Sequence, residues 1–218
     1  MRHDLRVIIF DFDYTLADSS YGAMECINFA LRSLKIPPAS YESVCQTIGL
    51  SLPETFLYLT ESEHEGKSSE FVRLFKERAD EAMAENTVIY DTVNSTLEAL
   101  SLVNIKMGVV STKYRYRIEE ILKREKILNF FEVIVGSEDV QAHKPDPEGL
   151  WLAIEHFQES KQNSLYTGDS TIDAETALRG GVPFVAVLTG VTQSQAFDSY
   201  KPVNIVNNLK ELTDWILG

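Results

Sequence analysis

The feature that most constrains the fold is a short apolar run that leads directly into two carboxylates. Residues 7–10 (VIIF) are all apolar, and Asp11 and Asp13 follow them with one residue between. A continuous apolar run is typical of a strand buried on both faces, as the central strands of a parallel sheet are. Ligands bind at the carboxyl ends of such strands in open α/β sheets. The sequence therefore predicts that both acids lie at a ligand-binding edge.

Two neighbouring carboxylates repel each other, and the chain must accommodate that repulsion. A divalent cation can neutralise the pair, or a nucleophilic carboxylate can lie beside a second acid that keeps its proton. The structural alternative is a solvated strand end at which one Asp caps the next turn. Because short motifs often match by chance, the pair alone leaves these interpretations open.

The first part of the chain after the acids has a helical pattern. Apolar residues recur at helical spacing across residues 19–89, and nothing in this stretch predicts a strand. After a first helix, the pattern predicts a short helix over Ser40–Ile48, another that begins near Leu52, and a long one over Ser68–Ala84.

The rest of the chain alternates between strand and helix patterns. Alternation of this kind is typical of right-handed crossovers that build a parallel sheet. A closing helix is predicted over Leu209–Leu217. Strands are predicted near Lys106–Val110, Glu132–Val135, Ser164–Thr167 and Phe184–Leu188.

These patterns together define a fold class. At 218 residues, the chain is long enough for a core domain with a smaller insertion. We predict an α/β fold: a doubly wound parallel sheet, or Rossmann-like core, with an inserted all-helical domain. The core is expected to comprise residues 1–18 and 90–218, and the insertion residues 19–89.

Charge balance and cysteine content limit the partners and the compartment. Twenty Lys and Arg residues against 33 Asp and Glu residues give a formal net charge of −13, which opposes attraction to nucleic acid or anionic lipid. No apolar run approaches the ~20 residues of a membrane span, and acids interrupt the N-terminal apolar stretch that a signal peptide would continue. Cys26 and Cys45 are expected to be buried and reduced. We therefore expect a cytoplasmic protein that binds neither nucleic acid nor membrane.

Two further polar residues are candidates for binding an anion. Ser111 follows the apolar residues 107–110, so its hydroxyl would face the same sheet edge as the acids, although a helix N-cap is the alternative. Lys144 precedes Pro145, which stiffens the chain, although a lone Lys is usually a solvated surface residue.

Two more acids follow a later predicted strand. Asp169 comes directly after it, where its carboxylate could join Asp11 around a hard cation such as magnesium. Asp173 lies four residues further on, in what would be the first turn of a helix, and the helix dipole is its structural explanation.

The segment Lys113–Arg117 mixes cations with aromatic residues. In an acidic chain we interpret it as a solvated helix start rather than a nucleic-acid site. Lys113 alone is close enough in sequence to Ser111 to be a candidate site residue. The four histidines show no zinc-ligand spacing, and no glycine-rich phosphate loop is present.

Four segments together resemble the motifs of the haloacid dehalogenase-like hydrolases. They are DFDYTLADS at 11–19, VVSTK at 109–113, KPDP at 144–147 and GDSTID at 168–173, in that family's order. This superfamily uses an aspartyl nucleophile and consists largely of magnesium-dependent phosphatases. One departure is Tyr14, where many members carry glycine.

The resemblance implies a role for each matching residue and for the insertion. The helical insertion corresponds to a mobile cap domain over the active site. The implied nucleophile is Asp11 and the implied general acid and base is Asp13. Phosphate would be bound by Ser111, Thr112 and Lys144. Mg²⁺ would be bound by Asp11, Asp169 and the backbone carbonyl of Asp13, with Asp173 further from the metal.

Part of the insertion also resembles one subgroup of this family. Residues 48–56 (IGLSLPETF) are similar to a cap segment of the phosphoglycolate phosphatases and related pyrophosphatases. Leu50 and Ser51, in the loop that follows Gly49, are therefore candidates for substrate specificity, together with Lys113.

The predicted function is hydrolysis of a small phosphorylated metabolite through an aspartyl phosphate. Within the superfamily, an inorganic pyrophosphatase or a phosphosugar mutase is the alternative, although mutases resemble the pattern with a histidine where this chain has Ala23. Dehalogenation is disfavoured, because Asp13 supplies an acid that halide displacement does not need. A phospho-acceptor regulator or a catalytically idle binding module is the alternative of a different class, and the helical insertion favours an enzyme over both.

Overall fold

The structure is a computed structural model that describes residues 4–218, and a six-stranded parallel sheet forms its centre. The strands are β1 (Val7–Phe10), β2 (Ala17–Asp18), β3 (Val88–Ile89), β4 (Lys106–Val110), β5 (Val133–Val135), β6 (Ser164–Gly168), β7 (Phe184–Val187) and β8 (Asn204–Val206). The helices are α1 (Ser20–Ser33), α2 (Tyr41–Cys45), α3 (Leu52–Leu59), α4 (Ser68–Ala82), α5 (Val93–Leu102), α6 (Arg115–Arg124), α7 (Glu148–Phe157), α8 (Thr171–Gly180) and α9 (Leu209–Leu217).

The strand order of the large sheet is β5-β4-β1-β6-β7-β8, so β1 lies at the centre. The pairings on both sides of β1 are parallel, as are those toward the two edges. All four residues of β1 are buried, which explains why this strand is continuously apolar. The order reverses around β1, and this is the place in a doubly wound sheet where ligands bind. The predicted α/β fold class is confirmed.

The chain separates into two compact units. One comprises the N-terminal segment up to Ala17 together with Ile89–Gly218, and the other is Asp18–Val88. The strands β2 and β3 pair with each other at the two points where the chain passes from one unit to the other.

The second unit is built from α1 to α4 around its own apolar core. Phe56 and Phe71 are fully buried, and their ring centroids lie 4.8 Å apart. Ser51 precedes α3 and Ser40 precedes α2, as the sequence pattern predicts for helix starts. Cys26 and Cys45 are buried, as predicted from the sequence, and neither forms a disulfide.

The structure corrects three details of the predicted elements. Ser40–Ile48 was expected to be helical, but α2 ends at Cys45 and turns lead from there to Gly49. Strand β3 falls at the end of a stretch that was expected to hold no strand. The edge strand β8 was not predicted, because its three residues include a polar Asn and form no recognisable run. None of the helices between residues 4 and 218 is long and apolar enough to cross a bilayer.

Candidate active site

The sheet register brings three strand ends together. Phe10 of β1 pairs with Val109 of β4 on one side and with Thr167 of β6 on the other. The residues that follow these strands therefore lie side by side at one edge. Asp11 continues the ladder, since its backbone N–H donates to the carbonyl of Thr167 at 2.9 Å. The polar residues after the strands are Asp11, Asp13, Ser111 and Asp169.

A tight turn follows Asp11. The amide of Leu16 donates to the carbonyl of Phe12 at 2.9 Å, and the amide of Tyr14 donates to the carbonyl of Ala17 at 2.6 Å. Tyr14 has a φ of 61°, in the left-handed region that glycine adopts most readily. This backbone requirement explains why glycine is common at the position in the resembling family. Here the ring of Tyr14 is buried, and the Thr189 hydroxyl donates to its carbonyl.

Lys144 links the first acid to a later one. Its ammonium group donates to Asp11 Oδ1 at 2.7 Å, to Asp173 Oδ1 at 2.6 Å and to the Tyr166 hydroxyl at 3.2 Å. An ammonium group has three hydrogens, so these acceptors use all of them. Burial alone lowers the pKa of Lys144, but the nearby carboxylates outweigh it and hold the pKa well above its usual value.

Lys113 forms an ion pair with Asp13. Its ammonium group lies 2.9 Å from Asp13 Oδ1 and 3.1 Å from Oδ2. Both side chains are largely buried, with 8% of the lysine and 11% of the carboxylate exposed. Lys113 was a predicted site residue because it is close in sequence to Ser111, and its bond to Asp13 was not predicted.

A helix does start within Lys113–Arg117, at Arg115, and Tyr116 is exposed, but the expectation of a solvated segment is wrong for Lys113 and Arg117. Arg117 is buried, and its guanidinium carbon lies 5.3 Å from the Tyr114 ring centroid and 5.1 Å from that of Tyr116. The cations and aromatic rings of this segment pack against one another, because stacking stabilises a desolvated guanidinium.

Asp173 lies in the first turn of α8, as predicted, and its carboxylate is fully engaged. Oδ1 accepts from Lys144 and, at 2.8 Å, from the Tyr166 hydroxyl. Oδ2 accepts from the Ser170 hydroxyl at 2.6 Å and from the Ser170 amide at 3.1 Å. These bonds fix the start of the helix and the position of Lys144 together.

Two glycines leave room for the later acids. A Cβ on Gly168 would lie 2.4 Å from the carboxyl carbon of Asp173, and one on Gly190 would lie 1.9 Å from Asp169 Oδ2. Any other residue would displace the carboxylates. The Thr15 hydroxyl donates to the other oxygen of Asp169, Oδ1, at 3.5 Å.

Three of the acids are close enough to share a cation. Ligand oxygens of Asp11, Asp169 and Asp173 all lie within 4.8 Å of one another, and all three residues are buried. Burial and the neighbouring carboxylates of Asp173 and Asp13 raise the pKa of Asp11 to about 7, although Lys144 acts in the opposite direction. Burial and the charges of Asp173 and Asp11 likewise raise the pKa of Asp169 well above its usual range.

The charge balance fits a divalent cation. Among the described residues, four carboxylates lie at this edge, and three of them, Asp11, Asp13 and Asp173, form ion pairs with the ammonium groups of two lysines. The formal excess is therefore two negative charges, and it lies on oxygen ligands of the kind that Mg²⁺ prefers. The donor set of the described residues thus suits a hard divalent metal.

The predicted phosphate-binding residues lie at the same edge. The Ser111 hydroxyl is largely buried and accepts from the Lys113 amide at 3.2 Å. The next helix begins at Arg115, so Ser111 is not its N-cap, which was the structural alternative. Thr112 lines a cavity together with Ser111 and Lys144.

Leu50 and Ser51 belong to the other unit. Gly49 has a φ of 99°, so the chain turns sharply before them. Ser51 bonds to Glu54 through its amide at 3.0 Å and through its hydroxyl at 2.6 Å. Ser51 thus has a structural role at the start of α3, whatever else it contacts.

Tyr166 and Gly190 were not predicted from the sequence to be site residues. Tyr166 lies in a fully buried strand, and its hydroxyl joins Lys144 to Asp173. A buried tyrosine needs a partner for its hydroxyl, so its presence in β6 was a usable signal. Nothing in the sequence around Gly190 indicated its closeness to Asp169, because that contact depends on how two loops pack.

Comparisons with known proteins agree with this geometry. The haloacid dehalogenase-like hydrolase family matches the chain over residues 8–187. The phosphoglycolate phosphatase of Shigella dysenteriae is 31% identical and that of Escherichia coli K12 30% identical, each over 96% of this chain and 91% of the relative. A crystal structure from Bacteroides fragilis, described as a haloacid dehalogenase-like hydrolase, matches with a TM-score of 0.92 and 39% identity. That match covers 95% of this chain and 99% of the other.

The close approach at Gly190 predicts a sensitive position. Gly190→Ala should keep the fold but push the Asp169 carboxylate away, because the added carbon has no room beside it. Displacing a site group by about 1 Å can reduce turnover by about 10²-fold, and we expect a loss of that size in phosphatase turnover at fixed Mg²⁺. The matched control is Gly66→Ala, since a Cβ at Gly66 meets nothing within 4 Å. Equal turnover in the two variants would contradict the assignment.

The raised pKa of Asp11 predicts a pH-dependent stability of the metal-free protein. The carboxyl has its ordinary pKa of 3.8 in the unfolded chain and a pKa of about 7 in the fold. Between these values the folded chain holds a proton that the unfolded chain has lost. The free energy of unfolding should therefore fall by up to ~1.4 kcal/mol per pH unit as the pH rises through this window. This contribution is present at the acidic end and lost above the folded pKa.

Urea unfolding in EDTA tests this expectation against Asp11→Asn, which cannot titrate. Between roughly pH 4.5 and pH 7.5, wild type should lose stability relative to the variant. Parallel pH profiles would show that Asp11 is not perturbed. Mg²⁺ should restore wild type mainly at the upper end of the range, where the carboxylate is charged.

Proposed function

The chain belongs to the haloacid dehalogenase-like hydrolase family and is a phosphatase of the phosphoglycolate phosphatase type. From this premise we propose that it hydrolyses a small phosphorylated metabolite through a phosphorylated Asp11. The observation that carries the proposal is the buried ion pair of Asp11 and Lys144, 2.7 Å apart at the central strand end. Lys144 contacts only one oxygen of the Asp11 carboxylate, so the other is left to attack phosphorus.

The proposed reaction has two displacements. In the first, an Asp11 oxygen bonds to phosphorus while the bond from phosphorus to the ester oxygen breaks, and Asp13 gives a proton to the leaving oxygen. In the second, water attacks the same phosphorus, Asp13 takes a proton from that water, and Asp11 is released with inorganic phosphate. Dividing one difficult transfer into two steps is the advantage of covalent catalysis.

The groups around Asp11 are proposed to bind the phosphate. The hydroxyls of Ser111 and Thr112 would donate to its oxygens, and the ammonium of Lys144 would offset charge on the transferring group. Because Lys144 also holds Asp11, the same cation would keep nucleophile and phosphate aligned.

Mg²⁺ is the proposed cofactor, as is general in this family. Asp11, Asp169 and the backbone carbonyl of Asp13 would hold it. Asp173 is assigned to a place further from the metal, because its two oxygens already accept four hydrogen bonds. When bound, the cation would reduce the repulsion between the acids and the phosphate oxygens.

Residues 19–89 are proposed to act as a cap that excludes water during the first displacement. The relatives named phosphoglycolate phosphatases support a small phosphorylated substrate, and the net charge of −13 argues against nucleic acid. Two buried cysteines that form no disulfide support a reducing, cytoplasmic location.

Asp13→Asn should test the general-acid role of Asp13 independently of the nucleophile Asp11. The variant keeps the shape of the side chain and the backbone carbonyl, so substrate should still bind. Proton transfer contributes about 10²–10⁴-fold, and turnover should fall by at least that range for alkyl phosphates. The loss should be smaller for aryl phosphates, whose leaving groups need less protonation. Equal losses for the two ester classes in a Mg²⁺-dependent assay would contradict the assigned role.

If the loop that contains Leu50 and Ser51 contacts the substrate, substitutions in it should change the ranking of substrates. Substitution of Leu50 or Ser51 should alter the order of kcat/KM across a panel of phosphate esters and pyrophosphate, without changing the Mg²⁺ dependence. The control is Ser40→Ala, because the Ser40 hydroxyl also caps a helix of the same unit, accepting from the Ser43 amide at 3.1 Å. Ser40→Ala should change kcat/KM by the same factor for every substrate. If Ser51→Ala did the same, the role of Ser51 in specificity would be contradicted, and only its role at the start of α3 would remain.

A further inference from the structure

We propose that Thr189 is a positioning residue, which fixes the turn that carries Asp13 through a hydrogen bond to the Tyr14 carbonyl. The inference rests on the proposed function and extends it, because Asp13 is there the acid that protonates the leaving oxygen. Thr189 lies in the loop after β7, 175 positions from Tyr14 along the chain. None of the four segments that resemble the family's motifs includes it.

The backbone of Tyr14 needs support from outside its own turn. Its φ of 61° lies in a region that residues other than glycine adopt only at a cost in free energy. The Tyr14 amide donates to the Ala17 carbonyl at 2.6 Å, which holds the peptide group before it. The Thr189 hydroxyl donates to the Tyr14 carbonyl, which holds the peptide group after it. Because peptide groups are planar, these two bonds fix both backbone angles of the residue directly after Asp13.

The loop that contains Thr189 is itself anchored. The amide of Leu188 donates to the carbonyl of Val206 at 2.9 Å, and the hydroxyl of Tyr90 donates to the carbonyl of Thr189 at 3.3 Å. The amide of Tyr90 donates to the carbonyl of Leu16 at 3.1 Å. Tyr90 therefore joins the same turn to the same loop by a second route. The Thr189 hydroxyl thus acts from a fixed base.

The turn and the loop also meet at Asp169. Thr15 directly follows Tyr14, and its hydroxyl donates to Asp169 Oδ1 at 3.5 Å. Gly190 directly follows Thr189, and a Cβ on it would lie 1.9 Å from Asp169 Oδ2. The bond between Tyr14 and Thr189 therefore also sets the spacing of the groups around a proposed metal ligand. Loss of the bond should affect both the acid and the metal affinity.

Thr189→Val tests the effect on the acid, because it removes the hydroxyl and keeps the shape of the side chain. With saturating Mg²⁺, kcat for an alkyl phosphate should fall by about tenfold, as expected for the loss of one hydrogen bond. For an aryl phosphate kcat should fall less, because its leaving group needs less protonation. KM should change little for either ester. Thr189→Ser keeps the hydroxyl and should restore the alkyl-to-aryl ratio.

The matched control is Thr213→Val. The Thr213 hydroxyl donates to the Leu209 carbonyl at 2.9 Å, in helix α9, so the variant removes a bond of the same kind elsewhere in the same unit. It should leave the alkyl-to-aryl ratio unchanged.

Two results of this comparison would overturn the inference. If Thr189→Val lowered kcat by the same factor for both esters, Thr189 would have only a structural role. If Thr189→Ser were as impaired as Thr189→Val, the hydroxyl would not be the group that matters. An unchanged alkyl-to-aryl ratio in Asp13→Asn would instead overturn the proposed role of Asp13, and this part of the inference with it.

The effect on the metal site can be measured without turnover. Mg²⁺ should raise the Tm of the wild-type protein, since it binds the folded chain. The Mg²⁺ concentration that gives half of this rise should be about tenfold higher in Thr189→Val than in wild type or Thr213→Val. Equal concentrations in all three proteins would overturn the inference, whether or not any ester is hydrolysed.

Tyr90→Phe covers the case in which Thr189→Val does not fold. It removes the bond to the Thr189 carbonyl and leaves the Thr189 hydroxyl in the chain. The alkyl-to-aryl ratio should fall in the same direction, by about threefold, because the loop is then held less firmly. An unchanged ratio in a folded Tyr90→Phe variant would overturn the inference.

Discussion

The burial of excess negative charge at one edge of the sheet is the constraint on which the rest of the site depends. Parallel pairing of β1 with β4 and β6 places strand ends together, and the residues after them bring four carboxylates into a small volume. Two lysines offset only part of this charge. Burial, together with the remaining negative charge, raises the pKa of Asp11 and of Asp169, and that charge favours binding of a divalent cation.

Hydrogen bonds and glycines near the acids keep the carboxylates in place despite their mutual repulsion. Asp173 is tied to the start of α8 by Ser170, and it orients Lys144 in turn. Gly168 and Gly190 admit carboxylates that a side chain would exclude. These contacts restrict the side-chain conformations of the site. They therefore fix the position of Lys144 relative to Asp11 before substrate binds.

The sequence predicted those parts of the site that depend on local pattern. The apolar run before Asp11 and the motif around Asp169 place both acids at strand ends, since strand burial is visible in a few residues. The pairing of Lys113 with Asp13 joins residues a hundred positions apart, and it depends on how two loops meet. The bond of Lys144 to Tyr166 depends on how a loop packs against strand β6, and the edge strand β8 is too short to produce a pattern.

The central claim is that Asp11 carries the phosphoryl group between the two displacements, and acid quenching during turnover tests it most directly. Peptide mass spectrometry of the quenched Asp13→Asn enzyme, in which the second displacement is slowed, should find a phosphoryl group on the peptide that contains Asp11. Hydroxylamine should remove this group, as expected for an acyl phosphate. A phosphoryl group on another residue, or turnover with none on the chain at any time point, would contradict the account.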